Sequence, residues 1–376
     1  MATTQLQVER PASPGDAAAL LAQGSITRPV GGRTKLDWGA IGAPPEVELS
    51  TERLDALLEH NEGDLTAVLQ AGVRLRDAQR AFARAGQRLA LDPPDPDGLA
   101  TIGGVIATGD CGPLRHRYGA PRDLILGVQV ALPDGTVARA GSRVIKNVAG
   151  YDLAKLMCGA LGTLGVICEV IVRLHPQPAQ TITVVGHGSD ADSLAGAVRA
   201  LARAPLELEA LDVSWQRDRG VVLAQAEGHA APAAAETVTG LMSAEGLEVE
   251  LVEDDQEVWA SQRMRQRAAG DDCAIVRVSF PPADLQRVLA VAPSGVARAR
   301  AGQAWIRIEP TSQVLRSLRA SLAPCACVLL DAPASLRSEV DPWGVDAGPE
   351  LALMSRVKAY FDPDRVCNRG RFVGGL

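Results

Sequence analysis

Glycine residues concentrate in one stretch of the chain, from Thr101 to Pro176, where they separate short apolar segments. Glycine within an apolar segment adds no side-chain packing and loses more conformational entropy on folding than other residues do, so such a cluster needs a reason. The backbone could approach a flat, charged ligand, as in a cofactor cradle, or a purely structural domain could contain many tight turns. The glycine count alone does not separate these two interpretations.

A second glycine-containing turn, Val30-Gly31-Gly32-Arg33-Thr34, lies near the N-terminus, with Arg28 before it and Lys35 after it. The pattern predicts a strand that leads into a turn. Successive backbone N–H groups at such a turn, with positive charge nearby, suit a phosphate or a diphosphate. The turn contains neither the Gly-Lys-Ser/Thr of a Walker loop nor Gly-x-Gly-x-x-Gly. Taken alone, it fits a surface turn better than a phosphate site.

Candidate catalytic side chains are few. His116 lies between Arg115 and Arg117, and these arginines together with Arg122 could hold a carboxylate, although a solvated loop also explains the pattern. Asp152 is placed to begin a helix, where a negative charge is favourable, so we interpret it as an N-terminal anion rather than a base. No closely spaced histidine pair follows residue 176. The sequence therefore indicates no metal site, and it leaves the catalytic residue unassigned.

Composition limits the class of protein. The 376 residues are 47% apolar and 22% charged, which allows sizeable cores in two domains. A net charge of −7 and an aromatic content of 3% argue against nucleic acid or an anionic membrane as the main partner. The chain has no long apolar run without charges, and its first residues resemble no signal peptide, so we expect no membrane insertion. Seven cysteines without a Cys-x-x-Cys pair indicate reduced thiols in a cytoplasmic protein.

Hydrophobic periodicity and turn residues predict the elements that would position these residues. Before Pro176 they predict strands at 47–50, 65–71, 123–132, 136–140 and 166–174, and helices at 17–23, 51–59, 73–85 and 151–158. After Gln177-Pro178 the predicted order is β-α-β-β-α-β, which is typical of a ferredoxin-like unit. A second set follows, with strands near 274–279, 303–309 and 326–330, helices near 282–291 and 311–322, and a final helix at 349–360.

Several segments, taken in order, carry a resemblance to a known family. The strongest are Val144-Ile145-Lys146-Asn147-Val148-Ala149-Gly150-Tyr151-Asp152-Leu153 and Leu161-Gly162-Thr163-Leu164-Gly165-Val166-Ile167. Thr101-Ile102-Gly103-Gly104 and Arg117-Tyr118-Gly119 support them. With these segments the chain resembles the flavin-binding fold of the vanillyl-alcohol-oxidase/PCMH type. It resembles more closely the FAD-binding subunit of the bacterial glycolate oxidase complex. The resemblance covers residues 20–176 well, residues 355–376 moderately, and the middle only in its element order.

The resemblance implies an α+β fold in three parts. A PCMH-type FAD-binding domain of two α+β subdomains (1–176) would be followed by a ferredoxin-like antiparallel-sheet domain (177–355) and a C-terminal tail that returns to the flavin site (356–376). FAD would be bound non-covalently, because the turn after residue 30 lacks the histidine that carries a covalent flavin in some relatives. The diphosphate would lie on that turn and on 101–104, the adenosine half near 162–167, and the flavin ring toward the second domain. The implied cofactor-binding residues are Val30, Gly31, Gly32, Arg33, Thr34, Thr101, Ile102, Gly103, Gly104, Asn147, Gly150, Gly162, Gly165, Ile167, Asn368 and Arg371.

The implied activity is that of an FAD-dependent oxidoreductase acting as one subunit of a glycolate (2-hydroxy acid) oxidase or dehydrogenase. A sister FAD-binding catalytic subunit would supply the base, an iron–sulfur subunit would take the electrons, and any membrane association would come through these partners. The scattered tryptophans and Arg115-His116-Arg117 are candidate contact points. An alternative stays open: a structural subunit that keeps the flavin fold, binds FAD weakly or not at all, and stabilises a catalytic sister chain. The intact Gly31-Gly32-Arg33 turn favours the first interpretation. Asn368-Arg369-Gly370-Arg371, which lacks the proline usual in the family, favours the second.

Overall fold

The computed structural model describes residues 6–142, 152–217, 219–268, 270–345 and 348–376. The first subdomain contains β1 (Gln7–Glu9), α1 (Pro14–Leu21), β2 (Thr27–Val30) and β3 (Val47–Ser50). In the described residues these strands form a parallel sheet in the order β1-β3-β2. Helix α1 begins after Ser13, whose hydroxyl accepts a hydrogen bond from the backbone N–H of Asp16 at 3.1 Å. Its buried face shares an apolar cluster with Leu49 of β3.

The second subdomain is built on an antiparallel sheet. Its elements are β4 (Leu57–Asn61), β5 (Thr66–Gln70), α2 (Leu75–Ala83), β6 (Gln87–Arg88), α3 (Ile102–Thr108), α4 (Arg115–Tyr118), α5 (Pro121–Leu124), β7 (Ile125–Ala131), β8 (Val137–Gly141), α6 (Leu153–Met157), β9 (Val166–Arg173) and β10 (His175–Pro176). Five of these strands pair in the order β4-β5-β9-β7-β8 within the described part of the chain. The β7–β8 hairpin turns at Asp134-Gly135, where Gly135 has a φ of 85° and Asp134 accepts a hydrogen bond from the N–H of Thr136 at 2.9 Å.

The second domain repeats one topology twice. Its first unit contains β11 (Thr181–Gly188), α7 (Ala191–Arg203), β12 (Leu208–Gln216), β13 (Arg219–Glu227), α8 (Ala231–Ala244) and β14 (Glu248–Val252), followed by α9 (Gln256–Met264). Its second unit contains β15 (Ala274–Ser279), α10 (Leu285–Val291), β16 (Ser294–Arg298), β17 (Gln303–Ile308), α11 (Ser312–Leu322) and β18 (Ala326–Asp331). The described strands form one antiparallel sheet in the order β14-β11-β13-β12-β16-β17-β15-β18. Each unit thus has the ferredoxin-like order, and the two are joined edge to edge by β12 and β16.

The two faces of this long sheet have different neighbours. Helices α7, α8, α10 and α11 cover one face and form the largest apolar core with it. The opposite face packs against the first domain, where Trp38 lies in one cluster with Ile275, Val296 and Trp305. The indole N–H of Trp38 donates to Asp331 Oδ1 at 2.8 Å. This second face is therefore where the two domains meet.

Charged side chains also join the domains. Arg88 of β6 forms ion pairs with Glu209 and with Glu227, the latter at 3.1 Å between Nη2 and Oε2. Tyr118 donates its hydroxyl hydrogen to Glu209 Oε2 at 3.1 Å, and Arg117 Nη1 lies 2.9 Å from Glu227 Oε1. Burial, the hydrogen bond with Glu227 and the neighbouring carboxylate charge raise the pKa of Glu209 to about 7.

The chain returns to the first domain at its end. Helices α12 (Ala334–Glu339) and α13 (Pro349–Phe361) lead into the tail, in which Cys367 pairs with Thr27 in a parallel bridge. The buried Lys358 Nζ donates to Asp362 Oδ2 at 2.6 Å, to Thr163 O at 2.5 Å and to Cys367 O at 3.0 Å. The tail is thereby fixed beside β2. The three-part division at residues 176 and 355 stays a prediction.

One predicted helix is wrong. Residues 51–59 were expected to be helical, but Leu57–Asn61 forms the edge strand β4 and pairs antiparallel with β5. The residues have helical spacing of apolar side chains, but pairing with a neighbouring strand decides the conformation of such a short segment. Several other elements are not predicted from the sequence, among them α3, α9, β16 and α12.

The tryptophans do not offer contact points for partners as a group. Trp215, Trp259 and Trp305 are 2–4% exposed, within this chain's own core. The indole N–H of Trp215 donates to Ala292 O at 2.9 Å, and that of Trp259 donates to Thr183 Oγ1 at 2.8 Å. Both polar groups are therefore used internally.

Candidate functional site

A cleft of about 810 Å³, including the part open to solvent, lies between the two subdomains of the first domain. Its walls are the turn after β2, helix α3, the segment before β9, and the C-terminal tail. Most of the residues assigned to the cofactor from the sequence line it: Val30, Gly31, Gly32, Arg33, Thr34, Thr101, Gly103, Gly104, Gly162, Gly165, Ile167, Asn368 and Arg371. As cofactor contacts they stay a prediction.

The turn at residues 31–34 presents unused donors to the cleft. Among the described residues, no protein group accepts a hydrogen bond from the backbone N–H groups of Gly31, Gly32, Arg33 or Thr34. A Cβ at Gly32 would overlap the carbonyl oxygen of Leu99. Glycine at this position therefore lets the turn pack closely on its neighbouring loop, and several N–H groups remain available to an anion.

Helix α3 forms the opposite wall with its donors already used. Thr101 caps it and accepts a hydrogen bond from the N–H of Gly104 at 3.2 Å. The N–H groups of Ile102 and Gly103 donate to Val73 O and Ala71 O at 2.9 and 2.8 Å. A Cβ on Gly103 would lie 2.6 Å from that of Ala71, so this glycine allows close helix packing. The N–H groups of Ile102, Gly103 and Gly104 are therefore already used within the protein, and the contact of 101–104 with the diphosphate stays a prediction.

Gly104 differs from Gly103 in what lies beside it. A Cβ added at Gly104 would meet only Thr101 Oγ1, at 3.0 Å, and no other atom within 4 Å outside the helix backbone. Gly104 also lines the cleft. A side chain at this position would therefore occupy the cleft itself. Ile102, by contrast, is fully buried in the core and does not line the cleft.

The C-terminal tail completes the cleft. Asn368 adopts a φ of 41°, its backbone N–H donates to Thr27 O at 2.9 Å, and its side-chain amide donates to Leu161 O at 2.6 Å. Arg371 donates to the carbonyl oxygens of Leu36 and Trp38. Burial lowers the pKa of Arg371 to about 10, so it stays protonated at neutral pH.

The basic side chains beside the turn already have acidic partners. The buried carboxylate of Glu48 forms ion pairs with both Arg28 and Arg33. The hydrogen bond from Arg33 lowers the pKa of Glu48. Lys35 Nζ lies 3.1 Å from Asp110 Oδ2, and both side chains are almost fully buried. The resemblance implies that Arg33 or Lys35 offsets the charge of a diphosphate, but each already has an acidic partner, and Arg33 shares the single charge of Glu48 with Arg28. We therefore expect the N–H groups to contribute the larger part of that role.

Part of the lining is not among the residues predicted to bind the cofactor. The sequence indicates Arg28 and Lys35 only as positive charges beside the turn, and their positions directly next to it were the available signal. The other unpredicted lining residues carry no chemical signature in the sequence; they are Pro29, Leu36, Thr51, Ala71, Ala107, Thr108, Leu161 and Val166. Asn147 and Gly150, which the resemblance places near the flavin ring, lie outside the described residues.

Comparison with known proteins identifies this domain. Residues 7–141 match the family model described as FAD binding domain, and residues 346–372 match that of FAD linked oxidases, C-terminal domain. The N-terminal domain is a PCMH-type FAD-binding domain. FAD is its cofactor, and the predicted α+β fold class is confirmed.

The overall fold has solved counterparts. The structure of alkyldihydroxyacetonephosphate synthase superposes on 96% of this chain and 76% of its own with a TM-score of 0.71. The sequence identity is 15%, so this likeness concerns the fold alone.

The FAD-binding domain has relatives of several kinds. Glycolate oxidase subunit GlcD of Bacillus subtilis is 36% identical over 189 residues, which is 49% of this chain and 40% of the relative. Glycolate oxidase subunit GlcE of Escherichia coli is 36% identical over 128 residues, 34% of this chain and 37% of the relative. D-2-hydroxyglutarate dehydrogenase of Xanthomonas citri is 35% identical over 212 residues, which is 56% of this chain and 44% of the relative. The matched region spans less than half the length of each of these relatives.

The remaining candidate residues are separated by the fold. Arg117 lies at the domain interface, where it pairs with Glu207 and Glu227, and Arg122 is exposed. Arg115 lies beside Cys111. Burial lowers the pKa of His116 to about 4, so it is neutral at pH 7. Among the described residues no group of His, Cys, Asp and Glu side chains could hold a metal ion, and no helix is both long and apolar enough to cross a bilayer.

Proposed function

We propose that this chain is the FAD-binding subunit of a multi-subunit 2-hydroxy acid oxidoreductase that converts glycolate to glyoxylate and passes the electrons to partner subunits. The observation that carries the proposal is the cleft of the FAD-binding domain, whose turn at 31–34 offers unused N–H groups in a row. The similarity to GlcD and GlcE supports the choice of substrate and of a hetero-complex. Relatives acting on D-2-hydroxyglutarate make other 2-hydroxy acids the nearest competitors.

Each wall of the cleft has a role in holding FAD. The N–H groups of Gly31 to Thr34 would bind the diphosphate, and Gly104 would leave space for it. Asn368 and Arg371 would hold the part of FAD that lies against the tail. When bound, FAD would accept a hydride equivalent from the substrate.

FAD is bound without a covalent link in this proposal. The described lining of the cleft contains no histidine or cysteine, the side chains that commonly attach flavins. Precipitation of the purified protein with acid should leave the yellow colour in the supernatant. Colour that stays with the pellet would contradict this part of the proposal.

The base is supplied by a partner. Oxidation of a 2-hydroxy acid needs a group that takes the hydroxyl proton. The described lining of the cleft contains no histidine, aspartate or glutamate. A sister FAD-binding subunit would therefore provide the base, and an iron–sulfur subunit would accept the electrons, in the cytoplasm or at a membrane to which the partners bind.

The test compares the chain alone with its complex. The FAD-loaded chain is assayed with a dye acceptor and glycolate, D-lactate or D-2-hydroxyglutarate, first alone and then with the co-expressed sister subunit. We expect turnover only with the sister subunit, and the highest kcat/KM with glycolate. Substantial turnover by the chain alone would overturn the assignment of the base. A purified chain without flavin absorption bands would instead favour a structural subunit.

A further inference from the structure

A buried thiol where the two domains meet contacts one arginine and interacts electrostatically with two more. Arg115 of α4 donates to Cys111 Sγ at 3.5 Å, and Cys111 is 3% exposed. Burial raises the pKa of Cys111, and the charges of Arg298 and Arg115 act in the opposite direction. Arg277 of β15 interacts electrostatically with both Cys111 and Arg115. We name Arg115, Arg277 and Arg298 the arginine cluster.

The cluster lies next to the cleft. Lys35 and Thr108 line the cleft, and Lys35 Nζ is 3.1 Å from Asp110 Oδ2. Asp110 directly precedes Cys111 and interacts electrostatically with Arg277. The cluster therefore begins just after the C-terminal end of helix α3, which forms one wall of the cleft. Two of its arginines, Arg277 and Arg298, belong to the sheet of the second domain.

Of the acids near the cluster, none pairs with Arg115 or Arg277. Asp110 is paired with Lys35, Asp212 Oδ1 lies 3.9 Å from Arg298 Nε, and Asp92 interacts electrostatically with Arg298 and Arg263. Neither Arg115 nor Arg277 forms a salt bridge with any residue that the structure describes. Two guanidinium groups thus lie within electrostatic range of each other without an acidic partner of their own.

Two of the three guanidinium groups also lack hydrogen-bond acceptors. Arg298 is 1% exposed, and none of its three guanidinium nitrogens has a hydrogen-bond partner in the described chain; its charge lies 4.3 Å from the centre of the Trp305 ring. Nε of Arg277 is likewise buried without a partner. Buried like charges without acceptors are unfavourable, and a bound anion would relieve both the repulsion and the missing hydrogen bonds.

We propose that Arg115 and Arg277 bind the carboxylate of the substrate, with Arg298 adding positive charge behind them. The proposal rests on the proposed function, in which the substrate is a 2-hydroxy acid. Guanidinium groups bind carboxylates with two parallel hydrogen bonds, which fixes the orientation of a small acid. The second domain would thereby contribute the substrate-binding side chain Arg277, and the first domain Arg115.

Oxalate is a suitable probe, because it carries carboxylates but cannot be oxidised as a 2-hydroxy acid. Its binding to the FAD-loaded chain is measured by isothermal titration calorimetry. Arg277→Gln and Arg115→Gln should each weaken oxalate binding about tenfold or more, since each removes a charge-assisted hydrogen bond. Arg277→Lys, which keeps the charge, should restore part of the affinity. Arg316→Gln, on the exposed surface of α11, is the matched control and should leave the affinity unchanged.

The outcomes separate the possible roles of the cluster. Flavin content and circular dichroism of each variant check that the FAD-binding domain is intact. Absence of oxalate binding by the unmodified chain, or equal binding by Arg277→Gln, would overturn the proposal. Loss of FAD from Arg277→Gln with oxalate binding retained would assign the arginine to the cofactor instead. Failure of every 2-hydroxy acid to react in the complex would refute the proposed activity, while arginine-dependent oxalate binding would still stand.

Discussion

The cofactor cleft and the arginine cluster lie side by side, but their cations differ in whether they have acidic partners. In the cleft, Arg33 and Lys35 are each paired with a buried acid, Glu48 and Asp110. In the cluster, Arg277 makes no salt bridge with a described residue. A cation that is already paired can bind a ligand only by giving up its partner, whereas an unpaired one gains from any anion. We therefore propose that the turn at 31–34 binds its anion mainly through backbone N–H groups, and that the cluster binds its anion through side chains.

The largest effect should follow from filling the cleft. Gly104→Val would place a branched side chain where only Thr101 Oγ1 lies within 4 Å, so we expect a folded protein that purifies without flavin. Flavin content is read from the visible spectrum, and circular dichroism checks the fold. Gly240→Val is the matched control, because Gly240 also lies in a helix and has no atom within 4 Å of an added Cβ. A normal flavin content in Gly104→Val would place the diphosphate elsewhere.

Removal of a paired buried cation should destabilise the fold. Lys358→Met would leave the carboxylate of Asp362, which is 0% exposed, without its positive partner. We expect a loss of about 3–5 kcal/mol in the free energy of unfolding, measured in urea. Lys155→Met is the control: its partner Asp152 is half exposed, and the expected loss is about 0–1 kcal/mol. Equal losses in the two variants would show that burial does not determine how much each ion pair contributes to the free energy of unfolding.

The interface acid Glu209 should make stability depend on pH. Its pKa is raised from 4.5 to about 7 in the folded protein, so the folded state binds more protons than the unfolded state between these values. The contribution of Glu209 to stability should therefore fall by about 2 kcal/mol as the pH rises from 4.5 to 7. Urea unfolding of the wild type and Glu209→Gln at several pH values measures the difference. Glu207→Gln, at an exposed carboxylate of the same interface, should show no such trend.

The smallest effect should come from a cation that is already paired. Arg33→Gln removes a guanidinium that is already paired with Glu48, which it shares with Arg28, so we expect the Kd for FAD to rise by less than about threefold. Reconstitution of the flavin-free chain, followed by fluorescence, gives the Kd. A rise of a hundredfold would mean that Arg33 exchanges Glu48 for the diphosphate, and would remove the contrast between the cleft and the cluster.

Local sequence signals predicted many of the elements. Asp134-Gly135 predicted the β7–β8 hairpin, and the order of strands and helices after Gln177 predicted a ferredoxin-like unit. Two kinds of error show what local sequence signals do not predict. Helix α3 was missed because its sequence, IGGVIAT, contains two glycines, which disfavour helices except where packing requires them. Residues 57–59, the end of the predicted helix 51–59, belong to strand β4 instead, because the strand that pairs with them is supplied by another part of the chain.

The sequence by itself determined which groups can bind an anion: the glycine turn at 31–34, the arginine-rich segment at 115–117, and a tail that ends in Asn368 and Arg371. Only the tertiary structure decided which of their charges are free. Arg33 is paired with Glu48 of a neighbouring strand, Lys35 is paired with Asp110 just after α3, and Arg277 interacts electrostatically with Cys111 from the second domain. The energy of a buried charge depends on the distance to its nearest partner through a medium of low dielectric constant. The spacing of residues along the chain does not give that distance. Only the folded structure therefore shows which cations have an acidic partner and which do not.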